Sequence, residues 1–183
     1  MPVISPRIKR LLTNFIAFQI GWFACVIAGG SQWPWLGTAV ALSVVSLHLA
    51  LTPQPRLEWP LLAWAALIGL VLDSLPVMLG VVVYPQGTFI HGLAPHWIIA
   101  MWVQFATLLN VSLRWLRARY GIAAVAGALL APPAYYLGAG FGGMQFTEPH
   151  WQGLLALAVV WALAMPVLLW LAQRYDGHTP TAV

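Results

Sequence analysis

Charged residues are scarce in this sequence. Only 7% of its 183 residues are Asp, Glu, Lys or Arg, whereas soluble domains carry roughly 25%. Hydrophobic residues make up 61% of the chain. A water-facing surface cannot be built from so few charges, so the composition excludes a soluble domain and predicts an integral membrane protein.

Cysteine is almost absent as well. The single cysteine, Cys25, lies in the first apolar run, which excludes an intrachain disulfide and a cysteine metal site. The sequence also lacks a phosphate-binding loop, a dinucleotide fingerprint and a nucleophile–base pair with an orienting group. We therefore predict no catalytic residues and no cofactor. Nucleic acid is not an expected partner, because the basic residues form no stripe.

What the chain does contain is six long apolar runs separated by short breaks. A bilayer span needs about 20 mostly apolar residues. The chain is therefore predicted to be all-α, a single membrane domain built as a six-helix transmembrane bundle. The expected spans are residues 11–29, 34–51, 60–83, 95–113, 120–143 and 151–172, followed by a flexible tail at 176–183.

The basic residues predict the orientation of this bundle. With six spans, all eight fall on one side of the membrane: Arg7, Lys9, Arg10, Arg56, Arg114, Arg117, Arg119 and Arg174. The loops after spans one, three and five contain none. Because positive charge is retained in the cytoplasm, both termini are predicted to be cytoplasmic. Tryptophans near the span ends, such as Trp97 and Trp151, are expected to lie in the interfacial belts.

Asp73 is the only charged residue deep inside a span. It is predicted to lie roughly 15 Å below the outer surface, at 1.5 Å per residue. Gly69, Asp73, Pro76 and Gly80 are spaced to share one helix face, which should point into the bundle. Gln104 is expected at the same depth in span four, so we predict that it approaches Asp73. Their contact would be either a structural hydrogen bond or part of a ligand or proton site.

Histidines cluster on the predicted outer face. His91 and His96 lie in the third loop, and Glu148 and His150 lie in the fifth. Two histidines and a carboxylate are zinc-type ligands, but their spacing matches no metal motif. We predict no metal site here and retain His91 as a candidate ligand residue.

Span five combines a proline pair with small residues. Pro132 and Pro133 are expected to break or kink the helix, and Tyr135 and Tyr136 follow the break as candidate ligand residues, since broken helices often line substrate sites. Close packing is the competing explanation. The predicted helix-packing positions, including those of span three, are Gly69, Gly80, Gly127, Ala134, Gly138 and Gly142.

Several short motifs follow one another along almost the whole chain. They are Asn14, Phe18, Gln19, Trp22 and Phe23, then Gly69 and Asp73, then Pro95, His96, Trp97, Trp102, Phe105 and Ala106, then Gly127, Pro132, Tyr135 and Gly138, and finally Trp161 and Pro166. In this order they resemble a family of small bacterial inner-membrane proteins known only as a domain of unknown function. The resemblance implies genes near cyclopropane-fatty-acid synthase-like proteins, and hence a link to membrane lipid modification.

The size, the helix number and the Gly69–Asp73 spacing also resemble the six-helix substrate-binding subunits of energy-coupling-factor transporters, and a rod-shape-determining membrane protein. Three functions follow. The first is a non-enzymatic component that binds a lipid or small apolar molecule, or supports a partner protein. The second is a transporter subunit with Asp73 on the substrate or proton path. The third is a lipid-modifying enzyme. The expected partners are membrane lipids, a small apolar ligand, and a second protein or a second copy of the chain.

Overall fold

Six α-helices form the computed structural model, which describes residues 5–178. They are α1 (Pro6–Gly29), α2 (Pro34–Leu51), α3 (Pro55–Met78), α4 (His96–Leu109), α5 (Tyr120–Gly140) and α6 (Trp151–Arg174). A single 3-10 turn, Arg114–Leu116, precedes α5, and two short strands, β1 (Val82–Val83) and β2 (Gln145–Phe146), pair antiparallel. The predicted all-α, six-helix bundle is confirmed.

Proline marks the start of the first three helices. Pro6, Pro34 and Pro55 each occupy the first turn, where the missing N–H is not needed and the fixed φ suits a helix. Ser5 additionally caps α1 by accepting a hydrogen bond from the backbone N–H of Ile8. Local sequence alone therefore sets these helix starts.

Five of the helices are long and apolar enough to cross a membrane, with 18 to 24 residues each. Their outward faces expose large apolar side chains, such as Ile20 on α1, Leu129 on α5 and Leu163 on α6. A water-soluble fold would bury such side chains. The helices therefore indicate a multi-pass membrane protein.

The fourth helix is shorter than its predicted span of residues 95–113. It ends at Leu109 after 14 residues, which covers only about 21 Å at 1.5 Å per residue. Most of its side chains are buried, and it packs against α1, α2, α3 and α6. Asn110, the residue that follows its end, donates its side-chain amide to Glu58 and to the carbonyl of Tyr175. Helix α4 is thus the central core helix of the bundle.

The end of the bundle opposite the basic residues is closed by loops and by the β1–β2 ribbon. Thr147 continues the ribbon by donating its N–H to the carbonyl of Val81. Trp97, predicted to lie in an interfacial belt, is instead buried, and its indole N–H donates to the carbonyl of Gln86. Burial satisfies both its apolar ring and its single donor.

A break or a kink was predicted at Pro132 and Pro133; α5 runs through both prolines as one helix, so the break is wrong. Two prolines remove only two backbone donors, and α5 packs along α6 more extensively than any other pair of helices packs. That contact holds both halves of α5 in one helix.

The segment after α6 folds back onto the bundle. Asp176 is buried and accepts from Arg117, and the N–H of Gly177 donates to Glu58. These contacts connect the first residues of the predicted flexible tail, 176–183, to the bundle. Residues 179–183 lie outside the described part of the chain.

Candidate functional site

Asp73 lies in the second half of α3 and is fully buried. Gly69 and Pro76 on the same helix are buried too, as the shared helix face predicts. The fourth predicted member, Gly80, lies beyond the end of α3 in a turn with φ +70°. Its role is conformational, since glycine adopts positive φ without strain, and the prediction that it packs helices is wrong.

Three aromatic side chains donate hydrogen bonds to the Asp73 carboxylate. The Tyr135 hydroxyl lies 2.8 Å from Oδ2 and 3.0 Å from Oδ1, and the Tyr84 hydroxyl lies 3.4 Å from Oδ1. The indole N–H of Trp102 donates to Oδ2. An ionised carboxylate only accepts hydrogen bonds, so a shell of neutral donors suits it. Among the described residues, Asp73 has no ion-pair partner.

Gln104 is not a partner of Asp73, so that predicted contact is wrong. Its side-chain Nε2 donates to the carbonyl of Phe18 on α1, at 2.8 Å. Trp102 and Gln104 are two residues apart on α4, which places them on different faces, and it is Trp102 that faces Asp73. Gln104 instead fills the space left by Gly21, where any Cβ would collide with it. Its buried Oε1 has no described partner.

The other predicted ligand residues separate into one that joins the Asp73 cluster and two that do not. Tyr135 lies at its centre, and its hydroxyl also accepts a hydrogen bond from the Trp161 indole at 3.4 Å. Tyr136 points outward, is 57% exposed and stacks on Phe146. His91 is exposed in the loop before α4. Neither of these two contacts Asp73.

A crevice of about 480 Å³ borders the Asp73 cluster. Its lining residues come from α1, α4, α5 and α6 and from the segment around the 3-10 turn between α4 and α5. The lining is almost entirely apolar, and includes Phe23, Phe105 and Leu130. Helices α1 and α5 barely contact each other, so the crevice opens between them on the surface that would face lipid.

Tyr135, Trp102 and Trp161 form the polar end of this crevice, and all three line it. The two indole rings stack with centroids 4.4 Å apart. Gly69 makes room for Trp102, since a Cβ there would overlap the indole. The Tyr135 hydroxyl and the Trp102 indole N–H thus lie between the crevice and the buried Asp73 carboxylate and donate to it, whereas the Trp161 indole N–H donates to Tyr135.

The remaining predicted packing residues have different roles. A Cβ at Gly127 would collide with the backbone of Trp161, so this glycine brings α5 close to α6. A Cβ at Gly138 would meet Val26 of α1 at 3.3 Å. Ala134 lines the crevice. Gly142 lies beyond α5 with φ +84°, so its role is in a turn, and the prediction that it packs helices is wrong.

A second buried polar cluster lies at the basic end of the bundle, the end that carries all eight lysine and arginine residues. Its centre is Glu58, which is fully buried. Oε1 of Glu58 accepts from Asn110 at 2.8 Å and from the N–H of Gly177 at 2.9 Å, and Oε2 lies 3.4 Å from Nε2 of His48. Asn110 in turn accepts from Arg117.

His178 completes this cluster from the segment after α6. One ligand atom from each of His48, Glu58 and His178 can be chosen so that all lie within 4.8 Å of one another. Burial lowers the pKa of His178 to about 4, so its imidazole is neutral at pH 7. A cavity of about 270 Å³ adjoins both histidines and is also lined by Lys9, Arg10 and Asn14.

Sequence reasoning missed this cluster for an identifiable reason. Glu58 lies in the first turn of α3 and not deep inside a span, so it does not stand out as Asp73 does. His178 belongs to the tail that is predicted to be flexible, and nothing in the sequence relates it to His48 or Glu58. The available signal was that Glu58 is one of four acidic residues in the chain and is predicted to lie at the same membrane side as the basic residues.

Comparison with known proteins places the chain in a family. The model of the family described as "Protein of unknown function (DUF2878)" matches residues 11–167. The chain belongs to this family. The match spans α2 to α5 completely and most of α1 and α6, so DUF2878 membership covers both buried clusters except His178 and its neighbours.

No curated protein and no solved structure matches the chain. The resemblance to energy-coupling-factor subunits therefore has no support from a structural match, and DUF2878 membership assigns no activity.

Proposed function

We propose that this protein is a non-enzymatic membrane component that binds a lipid or small apolar molecule in the crevice beside Asp73. The observation that carries the proposal is the pairing of a long apolar crevice with one small polar end. Ligand sites of about 300–1,000 Å³ with apolar walls and a few placed polar groups are typical of small-molecule binding, and the crevice falls in this range at about 480 Å³.

The polar end favours a neutral ligand group. Asp73 has no described cationic partner, so an anionic group nearby would be repelled. Tyr135 already donates to Asp73 and accepts from Trp161, which leaves one lone pair of its hydroxyl for a donor. A hydroxyl group on an otherwise apolar chain fits this arrangement, with its chain lying along Phe105 and Leu130.

The proposal includes a place in the cell: the bacterial inner membrane, with both termini in the cytoplasm. Support comes from the distribution of charge, since all eight basic residues belong to one end of the bundle and positively charged segments are retained on the cytoplasmic side. Cysteine-accessibility labelling at each end in intact cells tests the orientation. Labelling of the Arg117 loop from outside would contradict it.

Native mass spectrometry of protein purified gently from its own membranes tests the binding role, with fragmentation of whatever is released. The expected result is a retained apolar molecule of defined mass. Ala134→Phe, which fills the crevice, should abolish retention, and Asp73→Ala should weaken it. Val125→Phe is the matched control, because Val125 is exposed on the same helix and does not line the crevice.

The same experiment distinguishes the alternatives. A stable second protein in the complex would favour a transporter subunit with Asp73 on the substrate or proton path. A chemically altered lipid that disappears in Asp73→Asn, with folding intact, would favour a lipid-modifying enzyme. A bare chain, or retention unchanged by Ala134→Phe, would contradict binding in the crevice.

A further inference from the structure

We propose that His48, Glu58 and His178 form a binding site for one divalent transition-metal ion of the zinc type at the basic end of the bundle. The site is separate from the crevice and independent of the proposed function. Two imidazoles and one carboxylate are the ligand set of many zinc sites that keep a fourth position open. In this protein the three ligands come from α2, α3 and the segment after α6.

The geometry is close to what a metal requires. Ligand atoms around a tetrahedral zinc ion lie roughly 3.4 Å apart, given metal–ligand distances of about 2.0–2.2 Å. Nε2 of His48 and Oε2 of Glu58 are already 3.4 Å apart. His178 lies within 4.8 Å of both, so a small side-chain adjustment brings the third ligand into range.

Neighbouring hydrogen-bond partners fix the orientation of two of the three proposed ligands, Glu58 and His178. Oε1 of Glu58 is held by Asn110 and by the N–H of Gly177, so Oε2 is the oxygen that faces the histidines. Such outer partners fix the direction of a ligand and raise metal affinity. Thr52 performs the same role for His178, with its hydroxyl 3.4 Å from Nε2.

One nitrogen of the third ligand is unsatisfied in its present environment. Nδ1 of His178 is buried without a hydrogen-bond partner among the described residues. A buried polar atom without a partner costs about 1–3 kcal/mol, and this cost requires an explanation. An ion at the centre of the cluster provides one, because the ring then binds the ion through one nitrogen and Thr52 through the other.

The adjoining cavity supplies an entry path and an open coordination position. It has a volume of about 270 Å³ and is lined by both histidines together with Lys9, Arg10 and Asn14. The positive side chains would draw water-derived hydroxide or another small anion toward the open position of the bound ion. An anion bound at that position would offset part of the positive charge that a divalent ion adds beside Arg10.

Zinc titration of the purified full chain in detergent, without a histidine tag, tests the site. The expected result is one zinc ion per chain, with X-ray absorption reporting nitrogen and oxygen ligands at about 2.0–2.2 Å. Losing an outer partner of a ligand already costs 10–100-fold in affinity. His48→Gln and His178→Gln should therefore each weaken binding by at least about 10-fold, and so should Glu58→Gln.

His150→Gln is the matched control. His150 belongs to a His–Glu pair, 3.2 Å from Glu148, but that pair is exposed and lies at the other end of the bundle. Its loss should leave zinc affinity unchanged. His178→Gln keeps the test decisive if Glu58→Gln fails to fold, since His178 lies beyond the last helix. No bound equivalent, unchanged affinity in both histidine variants, or an equal loss in His150→Gln would overturn the proposal.

Discussion

The two buried carboxylates of this protein lie in contrasting environments. Asp73 is surrounded by neutral aromatic donors at the wall of an apolar crevice, whereas Glu58 connects α2, α3, α4 and the segment after α6 near arginine side chains. A carboxylate shared by several segments stabilises the fold, because each segment would lose a bond without it. The Asp73 carboxylate is instead bonded by three aromatic side chains, of which Tyr135 and Trp102 also line the crevice. Burial alone does not distinguish these two environments.

The largest expected effect is the loss of the Glu58 carboxylate. Glu58→Leu leaves the Asn110 amide and the Gly177 N–H without their acceptor, and removing one partner of a buried polar network costs about 3–5 kcal/mol. We expect the free energy of unfolding to fall by that amount, measured by denaturant titration in detergent with a metal chelator present. Glu148→Leu is the control, because that carboxylate is 82% exposed and its loss should change stability by less than about 0.5 kcal/mol. An equal loss of stability in Glu58→Leu and Glu148→Leu would contradict the structural role of Glu58.

A smaller effect is expected from crowding the Asp73 cluster. In Gly69→Ala the new Cβ would overlap the Trp102 indole and push its N–H away from Asp73. Overpacking of this kind costs about 1–3 kcal/mol. Gly121→Ala is the matched control, since no atom lies within 4 Å of a Cβ there, and alanine should stabilise the helix by up to about 1 kcal/mol. The prediction is wrong if both variants have the stability of the parent.

Replacing each carboxylate by its amide compares the contributions of Asp73 and Glu58 to stability directly. Asp73→Asn keeps the shape and one acceptor, so the free energy of unfolding should fall by only about 1–2 kcal/mol. Glu58→Gln should cost more, because the Glu58 carboxylate is bonded by groups from three other segments, those of His48, Asn110 and Gly177. Unfolding of the two variants under one set of conditions checks this order. A larger loss in Asp73→Asn would mean that the Asp73 cluster is the main structural one.

The smallest effects come from two neighbouring tyrosines. Tyr135→Phe removes a donor to Asp73 and should cost about 1 kcal/mol, together with weaker ligand retention in native mass spectrometry. Tyr136→Phe removes an exposed hydroxyl and should change stability by less than about 0.5 kcal/mol. The two substitutions are chemically identical, so an equal response would show that the Asp73 contact contributes nothing.

Much of the fold could be predicted from composition and charge. Long apolar runs and the shortage of charge require membrane helices, although the first and third spans were predicted to begin at residues 11 and 60 and their helices begin at Pro6 and Pro55. Asp73 could be identified because a charge inside an apolar span is conspicuous, and Tyr135 because it follows the proline pair in span five. The length of α4 could not be predicted, because a buried core helix and a membrane span have the same apolar composition. Only the packing of α1, α2, α3 and α6 around α4 shows that it is a core helix.

Six apolar helices, the basic residues at one end of the bundle and the buried Asp73 face of α3 could all be predicted from the amino-acid sequence, since each follows from local composition and helix periodicity. Only the tertiary structure decided that Trp102 rather than Gln104 meets Asp73, and that residues 48, 58 and 178 converge. A difference of two residues on a helix reverses the face that a side chain occupies, and contacts across 120 residues depend on how helices pack.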